Sequence, residues 1–528
     1  MIGAAIIACA LLVAPLPERW LIRAASVLLM VAAVAHIIAP LDATLSGEFF
    51  GFAFSFSHYT PTARFVGCGL AAFGGIALLF VLPRQPARWL ACGALIHSGA
   101  SLALLTVSDL LTFFVFWELI TVGAVILIYQ DQVGFSVLRR YFAYQMAGAV
   151  ALLVGIAVNY GATGGIALTD ITAGHGYFLL AVSIKTAIIP LHLWLTRTYP
   201  SVSRETVVVL SAYATKAGVI GVGLLLPGAG LELLGAAVAL IAVLYALKQR
   251  GLREFLSFHI ISQVGYMTAG VGSGVPLAVS GGYYHLVSHI LYKGLLFMVA
   301  GVLIDCFGQS DMYRIDGEGK RKPLLMGAAI IGSASIAGLP PFNGFISKSL
   351  LKHALAGSAA SWLLIGASIG TALSFTKFLY LCFFQRTGAA RREQTEPQPP
   401  TRSVARTPAS QRSAMLLLAL GCVLLGTLPQ VPLQRFFGVR HAFYYPAGIW
   451  AGVWPVLAAV LLFVAMFARI NAMLQRILPE SPGLLRLTRR MLLATAAQLR
   501  VAHNGHLLRY ISWAIGGLVF VWATLLLW

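Results

Sequence analysis

Runs of about 20 apolar residues, each long enough to cross a roughly 30 Å hydrocarbon core, recur along the whole 528-residue chain. Within lipid every backbone N–H and C=O must be paired inside the protein, so segments of this kind fold only as helices packed on one another. The spans fall at 1–15, 19–40, 62–83, 88–107, 109–129, 138–159, 177–196, 205–226, 232–249, 253–272, 277–304, 323–349, 359–384, 413–429, 450–469 and 511–528. They predict an all-α polytopic membrane protein of about 14–16 transmembrane helices. Only 10% of the residues are charged and the mean hydropathy is +0.85, against roughly a quarter charged in soluble domains.

The formal net charge of +20 invites a nucleic-acid reading, but its placement is topological. Most of the 37 Lys and Arg sit in alternate loops that share one face, while Arg64, Lys352, Arg435 and Arg440 lie on the other. The positive-inside rule then places both termini on the outer, periplasmic side of a bacterial inner membrane, with no nucleic-acid partner. Met1–Pro15 lacks a charged n-region and a small-residue cleavage site, and reads as a first helix rather than a signal peptide. The six cysteines are scattered without CxxC or Cys/His grouping, which predicts no metal site. There is no Walker motif, and the lone "GVGSGV" at Gly270–Val275 has no strand before it. No ligand set for haem, flavin or nicotinamide is visible, so no cofactor and no enzymatic chemistry of the chain's own are expected.

Residues 1–107 read as N-terminal helices carrying an outer-face loop, whose "FGFAFSFSHY" alternates at period two and predicts a short β-hairpin. Residues 386–412 are rich in Pro, Ser, Thr and Arg and predict a flexible inner linker. Residues 413–528 hold the C-terminal helices. There Leu485, Leu492 and Leu499 share one face of an amphipathic segment, which fits a helix on the inner membrane surface or one packed on the body. Two spans contain helix breakers. Lys185 precedes Pro190 in "SIKTAIIPLHLWL", and Lys348 follows Pro340 and Pro341 in "SIAGLPPFNGFISK". Proline frees backbone groups that a neighbouring helix or a hydrated cavity must satisfy. The reversed order, on spans crossing in opposite directions, predicts two inverted five-helix repeats at 88–226 and 232–385, each with one broken helix.

Five ionisable residues lie well inside apolar spans: Glu118, Lys185, Lys216, Lys293 and Lys348. A charge at the bilayer centre costs at least about 2.5–3.5 kcal/mol. Snorkelling or a structural ion pair would explain any one of them; the set points to proton transfer. Burial disfavours a lysine's charged form and a nearby carboxylate restores it, so a movable carboxylate–lysine pair is a proton-transfer device. In "YHLVSHILYKG", His285, His289 and Lys293 stand at i, i+4 and i+8 and line one helix face, as a relay would. His259, His192 and Lys377 are secondary candidates, Lys377 lying near a span end from which it can snorkel.

These residues fall within motifs that resemble a known family. "FVFWELITV", "SIKTAIIPLHLWL", "YATKAGVIGV", "FHIISQVGYMTAGVG", "YHLVSHILYKGLLFMVAG" and "GLPPFNGFISK" are similar, in order and spacing, to the antiporter-like subunits of respiratory complex I, membrane-bound hydrogenases and Mrp-type cation/proton antiporters. The resemblance implies a proton-conducting subunit of a multisubunit membrane complex, moving H⁺, in some branches against Na⁺ or K⁺. It implies that Glu118 pairs with Lys185, that Lys216 passes protons onward, that His285, His289 and Lys293 form the connecting axis, and that Lys348 holds the exit. A redox-driven translocase of NADH:quinone oxidoreductase or hydrogenase type, an inorganic-carbon uptake complex and a non-conducting scaffold remain open alternatives.

The sequence also departs from the family pattern. Thr196 stands where proline usually follows "HxWL". "SRETVVVLS" replaces a segment that carries a histidine, leaving Leu210 near its place. Gly251 replaces an acidic residue, and His259 replaces a serine.

Overall fold

The computed structural model describes residues 1–40, 44–49, 52–56, 60–84, 88–385 and 407–478. Helices α1 (Ile2–Val13), α2 (Glu18–Ile38), α3 (Pro61–Val81) and α4 (Arg88–Ala103) lead into α5 (Leu110–Tyr129) and α6 (Phe135–Thr163). Next come α7 (His175–Lys185), α8 (Leu193–Thr198), α9 (Arg204–Leu225), α10 (Glu232–Lys248), α11 (Leu252–Val271) and α12 (Pro276–Phe307). A short α13 (Met312–Ile315) precedes α14 (Pro323–Ala337), α15 (Asn343–Ala354) and α16 (Ala359–Leu379), which runs on as a π-turn over Tyr380–Phe384. Helices α17 (Ala409–Thr427), α18 (Gln430–Phe437) and α19 (Pro446–Ile477) complete the described chain.

The chain is thus an all-α multi-pass membrane protein. Nine helices among the described residues are long and apolar enough to cross a membrane unaided. The larger number of spans expected from sequence includes α4 and α10, which are shorter, α11, which is more polar, and two spans that are broken. The expected span at 511–528 and the amphipathic segment around Leu485–Leu499 lie outside the described residues, as does most of the 386–412 linker. That linker ends earlier than expected, because Pro408 caps α17 and its first turn accepts the polar "SQR".

The loop before α3 forms strands β1 (Leu45–Phe49) and β2 (Phe52–Phe56), paired antiparallel; the alternating stretch holds β2, and β1 precedes it. The start of α5 anchors it. Asp109 caps that helix by accepting from Thr112 N (2.7 Å) and also accepts from Ser55 N at 2.9 Å.

Helices α9 and α12 form the centre, with 89% and 78% of their apolar windows buried, against 44% for α6 and 39% for α2. The two breaks interrupt neighbouring helices. Residues 186–192 separate α7 from α8, and Gly338–Phe342 separates α14 from α15. Gly338 takes φ +83°, which suits glycine. Gly344 packs so closely under the end of α14 that a β-carbon there would overlap the Ser335 carbonyl oxygen. Lys185 closes the half-helix before the first break, whereas Lys348 lies in the half-helix after the second.

Arg204 and Glu205, unexpected at the start of α9, belong to an ionic cluster. Arg84 meets Asp131 (2.8 Å) and Glu205 (3.5 Å), while Arg204 meets Glu205 (2.7 Å) and Asp305. The Ser203 N–H donates to Asp131 at 2.7 Å, and Ser203 Oγ accepts from Thr206 N. The ends of α3, α5, α9 and α12 are joined there.

Candidate proton-transfer site

Glu118 is the one charged residue of the largely apolar α5 helix, and Val115 and Val122 on the same side are 52% and 46% exposed. Glu118 therefore borders an outward face and is half-buried, and its Oε1 has no hydrogen-bond partner. Lys185, at the last turn of α7, is buried at 1% exposure. Its Nζ donates to Trp117 O (3.2 Å) and Thr121 Oγ1 (3.1 Å) and lies 4.7 Å from the Trp117 ring centroid. The expected Glu118–Lys185 ion pair is not closed: no contact within 4 Å joins them among the described residues. The ammonium is satisfied by backbone, hydroxyl and π-face acceptors of the same α5 turn.

Lys216 lies three turns into α9, fully buried. Its Nζ donates to Ser211 O (2.6 Å) and Thr215 Oγ1 (3.3 Å), with no carboxylate in contact. On α12, His285, His289 and Lys293 are all fully buried. The Lys293 Nζ has no hydrogen-bond partner and sits 5.7 Å from the Phe297 ring. Both ring nitrogens of His289 are also without partners. Lys216 and Lys293 lie within electrostatic range of each other, as do His289 and both lysines. Unpartnered buried polar groups are costly unless a water or ion serves them. Groups of this kind, arranged along two central helices, suit a hydrated line.

His285 differs from His289. Its Nδ1 meets Ser347 Oγ at 2.8 Å, and its Nε2 lies 3.4 Å from the Tyr292 hydroxyl, which is also 3.4 Å from Gln263 Oε1. Ser347 precedes Lys348, whose Nζ donates to Ile336 O at 2.7 Å and stands 4.8 Å from the Tyr266 ring. The Ile336 carbonyl belongs to the last turn of α14, so the second break supplies the acceptor for its own lysine.

Of the secondary candidates, His259 bonds Ser374 Oγ through Nε2 (2.7 Å) between Phe255 and Phe375. His192 begins α8 beside Phe258. Lys377 does not snorkel. It is fully buried, and its Nζ donates to Leu247 O (2.8 Å) and Gln249 O (2.6 Å) at the end of α10. Pro190, Pro340 and Pro341 all lie in the two breaks.

Sequence reasoning passes over Tyr292, Ser347 and Gln263, whose types are common in helices of any function. It also passes over His97 in α4, although an imidazole in mid-span is the same signal that marks His285. His97 is fully buried, with Nδ1 2.8 Å from Ile120 O and its ring edge-on to Tyr213.

A family model described as "NADH:quinone oxidoreductase/Mrp antiporter, TM" matches residues 107–374. Hydrogenase-4 component B of Escherichia coli is 27% identical over 66% of this chain and 58% of its own length. The D-type polypeptide of the Na⁺/H⁺ antiporter of Alkalihalophilus pseudofirmus is 30% identical over 48% of this chain and 56% of its own. The N-type polypeptide of the NADH-quinone oxidoreductase of Desulforudis audaxviator is 29% identical over 69% and 78%. The chain thus spans less than two thirds of the first two relatives. Among solved structures, a chain of the Mrp complex from Dietzia superposes with TM-score 0.82 at 20% identity, over all of this chain and 62% of that one. A chain of an archaeal membrane-bound sulfane sulfur reductase gives 0.80 at 20% identity, over 99% of both.

Proposed function

Since the chain belongs to the NADH:quinone oxidoreductase/Mrp antiporter transmembrane family and is an antiporter-like membrane subunit, we propose that it conducts protons along Glu118, Lys185, Lys216, Lys293, His289, His285 and Lys348. One observation carries the reading. Lys185, Lys216, Lys293 and Lys348 are buried at 2% exposure or less, and none has a carboxylate in contact among the described residues. A structural lysine at such depth is normally paired; here each meets only carbonyls, hydroxyls or ring faces, or nothing, so its proton is free to leave.

The Glu118–Lys185 pair opens and closes, and the break after α7 allows the lysine to move. Closing holds a proton on Lys185. Opening releases it toward Lys216, and the charge then drives the proton on Lys216 toward Lys293 and the histidines. Ser347 and Lys348 pass it to the opposite face through the break before α15. Glu118 borders an outward apolar face, which supports a neighbouring membrane subunit there as the element that perturbs the pair. The loop charges support a bacterial inner membrane with both termini outside. The coupled cation is Na⁺ or K⁺.

Ion flux in vesicles holding the chain with its partner subunits tests this. The expected result is internal pH change, read by a trapped dye, that follows an imposed Na⁺ or K⁺ gradient. An assembled complex that moves no protons under either gradient or under redox drive overturns the proposal.

A further inference from the structure

The lysine axis has a gap between Lys185 and Lys216, on α7 and α9, with no hydrogen bond joining them. The family-like segment that would carry a histidine there has Leu210 instead. His97, which no step above uses, stands beside the Lys185 end of that gap and packs on Tyr213, one turn from Lys216. Its Nδ1 lies 2.8 Å from the Ile120 carbonyl of α5, in the turn whose Trp117 carbonyl and Thr121 hydroxyl hold the Lys185 ammonium. Lys185 lies within its electrostatic range. On the other side, its ring stands edge-on to Tyr213, with centroids 5.5 Å apart, one turn before Lys216 on α9.

The chemistry of the ring follows from its one bond. A carbonyl oxygen only accepts, so Nδ1 carries the hydrogen and Nε2 carries the lone pair. That Nε2 is buried and has no hydrogen-bond partner. A bare basic nitrogen at full burial is costly as a packing element, and a second neutral hydrogen-bond donor would be cheap to supply. Close helix packing keeps the ring in place: a β-carbon at Gly123 of α5 would come within 2.5 Å of His97 N.

We propose that His97 is the proton carrier between Lys185 and Lys216. The inference rests on the lysine-axis reading above. Nε2 accepts the proton leaving the Lys185 ammonium, giving an imidazolium beside a neutral amine. It then releases the same proton to a neutral Lys216, with water bridging either transfer. Nδ1–H stays on the Ile120 carbonyl throughout, so the ring neither flips nor changes tautomer.

His97→Asn in the full complex tests this, because the Asn amide nitrogen takes the place of Nδ1 and keeps a donor for Ile120, while no group remains at Nε2. Proton flux per assembled complex is expected to fall at least tenfold, and His97→Asn combined with Leu210→His, which returns an imidazole to α9, is expected to recover much of it. A purely structural His97 predicts near-normal flux in His97→Asn, and that result overturns the proposal. Should His97→Asn alone fail to assemble, the double variant carries the test, and assembly restored without flux overturns it equally. Glu118→Gln separates the two levels. If it conducts normally the underlying axis is wrong; if it is inactive while His97→Asn conducts, only the role of His97 fails.

Discussion

Replacing Glu118 by Gln keeps the side chain's shape and removes its charge. In the open arrangement the carboxylate makes no ion pair among the described residues, and its Oε1 has no hydrogen bond. No contact among the described residues is lost with that charge, so the substitution is not expected to destabilise the fold. On the proposed reading, transport depends on the closed arrangement. A carboxylate brought to about 4 Å from an ammonium attracts it by about 4 kcal/mol at an effective dielectric of 20. At 1.4 kcal/mol per decade that is about a thousandfold bias on where the proton resides. Glu118 is half-buried, so solvent screening removes part of this; halving the energy leaves about thirtyfold.

The expected loss of proton flux in Glu118→Gln is therefore about 30- to 1,000-fold, with assembly intact. The assay is the initial rate of dye quenching in proteoliposomes holding the whole complex, normalised to complex recovered on a native gel. Glu118→Asp, which retains the charge on a shorter arm, is expected to recover part of the rate. Flux within threefold of the unsubstituted complex would refute the electrostatic reasoning, since even the halved attraction predicts about thirtyfold.

Three other substitutions separate conduction from architecture. Tyr292→Phe deletes a hydroxyl that makes only long contacts, 3.4 Å to Gln263 and to His285. It should cost about 1 kcal/mol or less in stability while lowering flux roughly tenfold or more, read in the same vesicle assay. Lys377→Met removes two donors from the end of α10. The thermal stability of the detergent-solubilised complex should fall, by about 1–3 kcal/mol, with flux per assembled complex unchanged. Gly344→Ala forces a β-carbon onto the Ser335 carbonyl; overpacking of about 1–3 kcal/mol should lower the melting temperature of the complex and also slow transport, because the second break must shift beside Lys348.

Prolines and mid-span charges made much of this architecture legible in advance. Pro190 and the Pro340–Pro341 pair mark both breaks because proline cannot donate to a helix and its neighbours must find other partners. The alternation in the loop before α3 marks β2 because side chains in a strand repeat every two residues. What the sequence could not convey are contacts made across long separations. Arg204 and Glu205 look out of place until Arg84, Asp131 and Asp305 arrive from other helices to meet them. Lys377 sits close enough to a span end to suggest snorkelling, and only the packing of α10 against α16 places Leu247 and Gln249 carbonyls over its ammonium. Whether Glu118 and Lys185 touch depends on how α5 and α7 pack, which no spacing rule encodes. His97 was legible as a type but not as a place, since its meaning comes from Ile120 on one side and Tyr213 on the other.

The charge balance of the interior is itself an argument for movement. Glu118 is the single carboxylate at mid-depth, against Lys185, Lys216, Lys293 and Lys348. One acid offsets one ammonium, so a fully protonated file would carry an excess of about three charges in a medium where each costs at least about 2.5–3.5 kcal/mol. A static protein relieves such an excess by pairing, and no such pairing is present among the described residues. On the proposed reading, Lys216 and Lys293, in electrostatic range of one another, form a coupled pair in which a proton arriving at one would change the occupancy of the other. On that reading, a file with fewer protons than sites, and one acid at its head to bias the first of them, conducts when that acid moves.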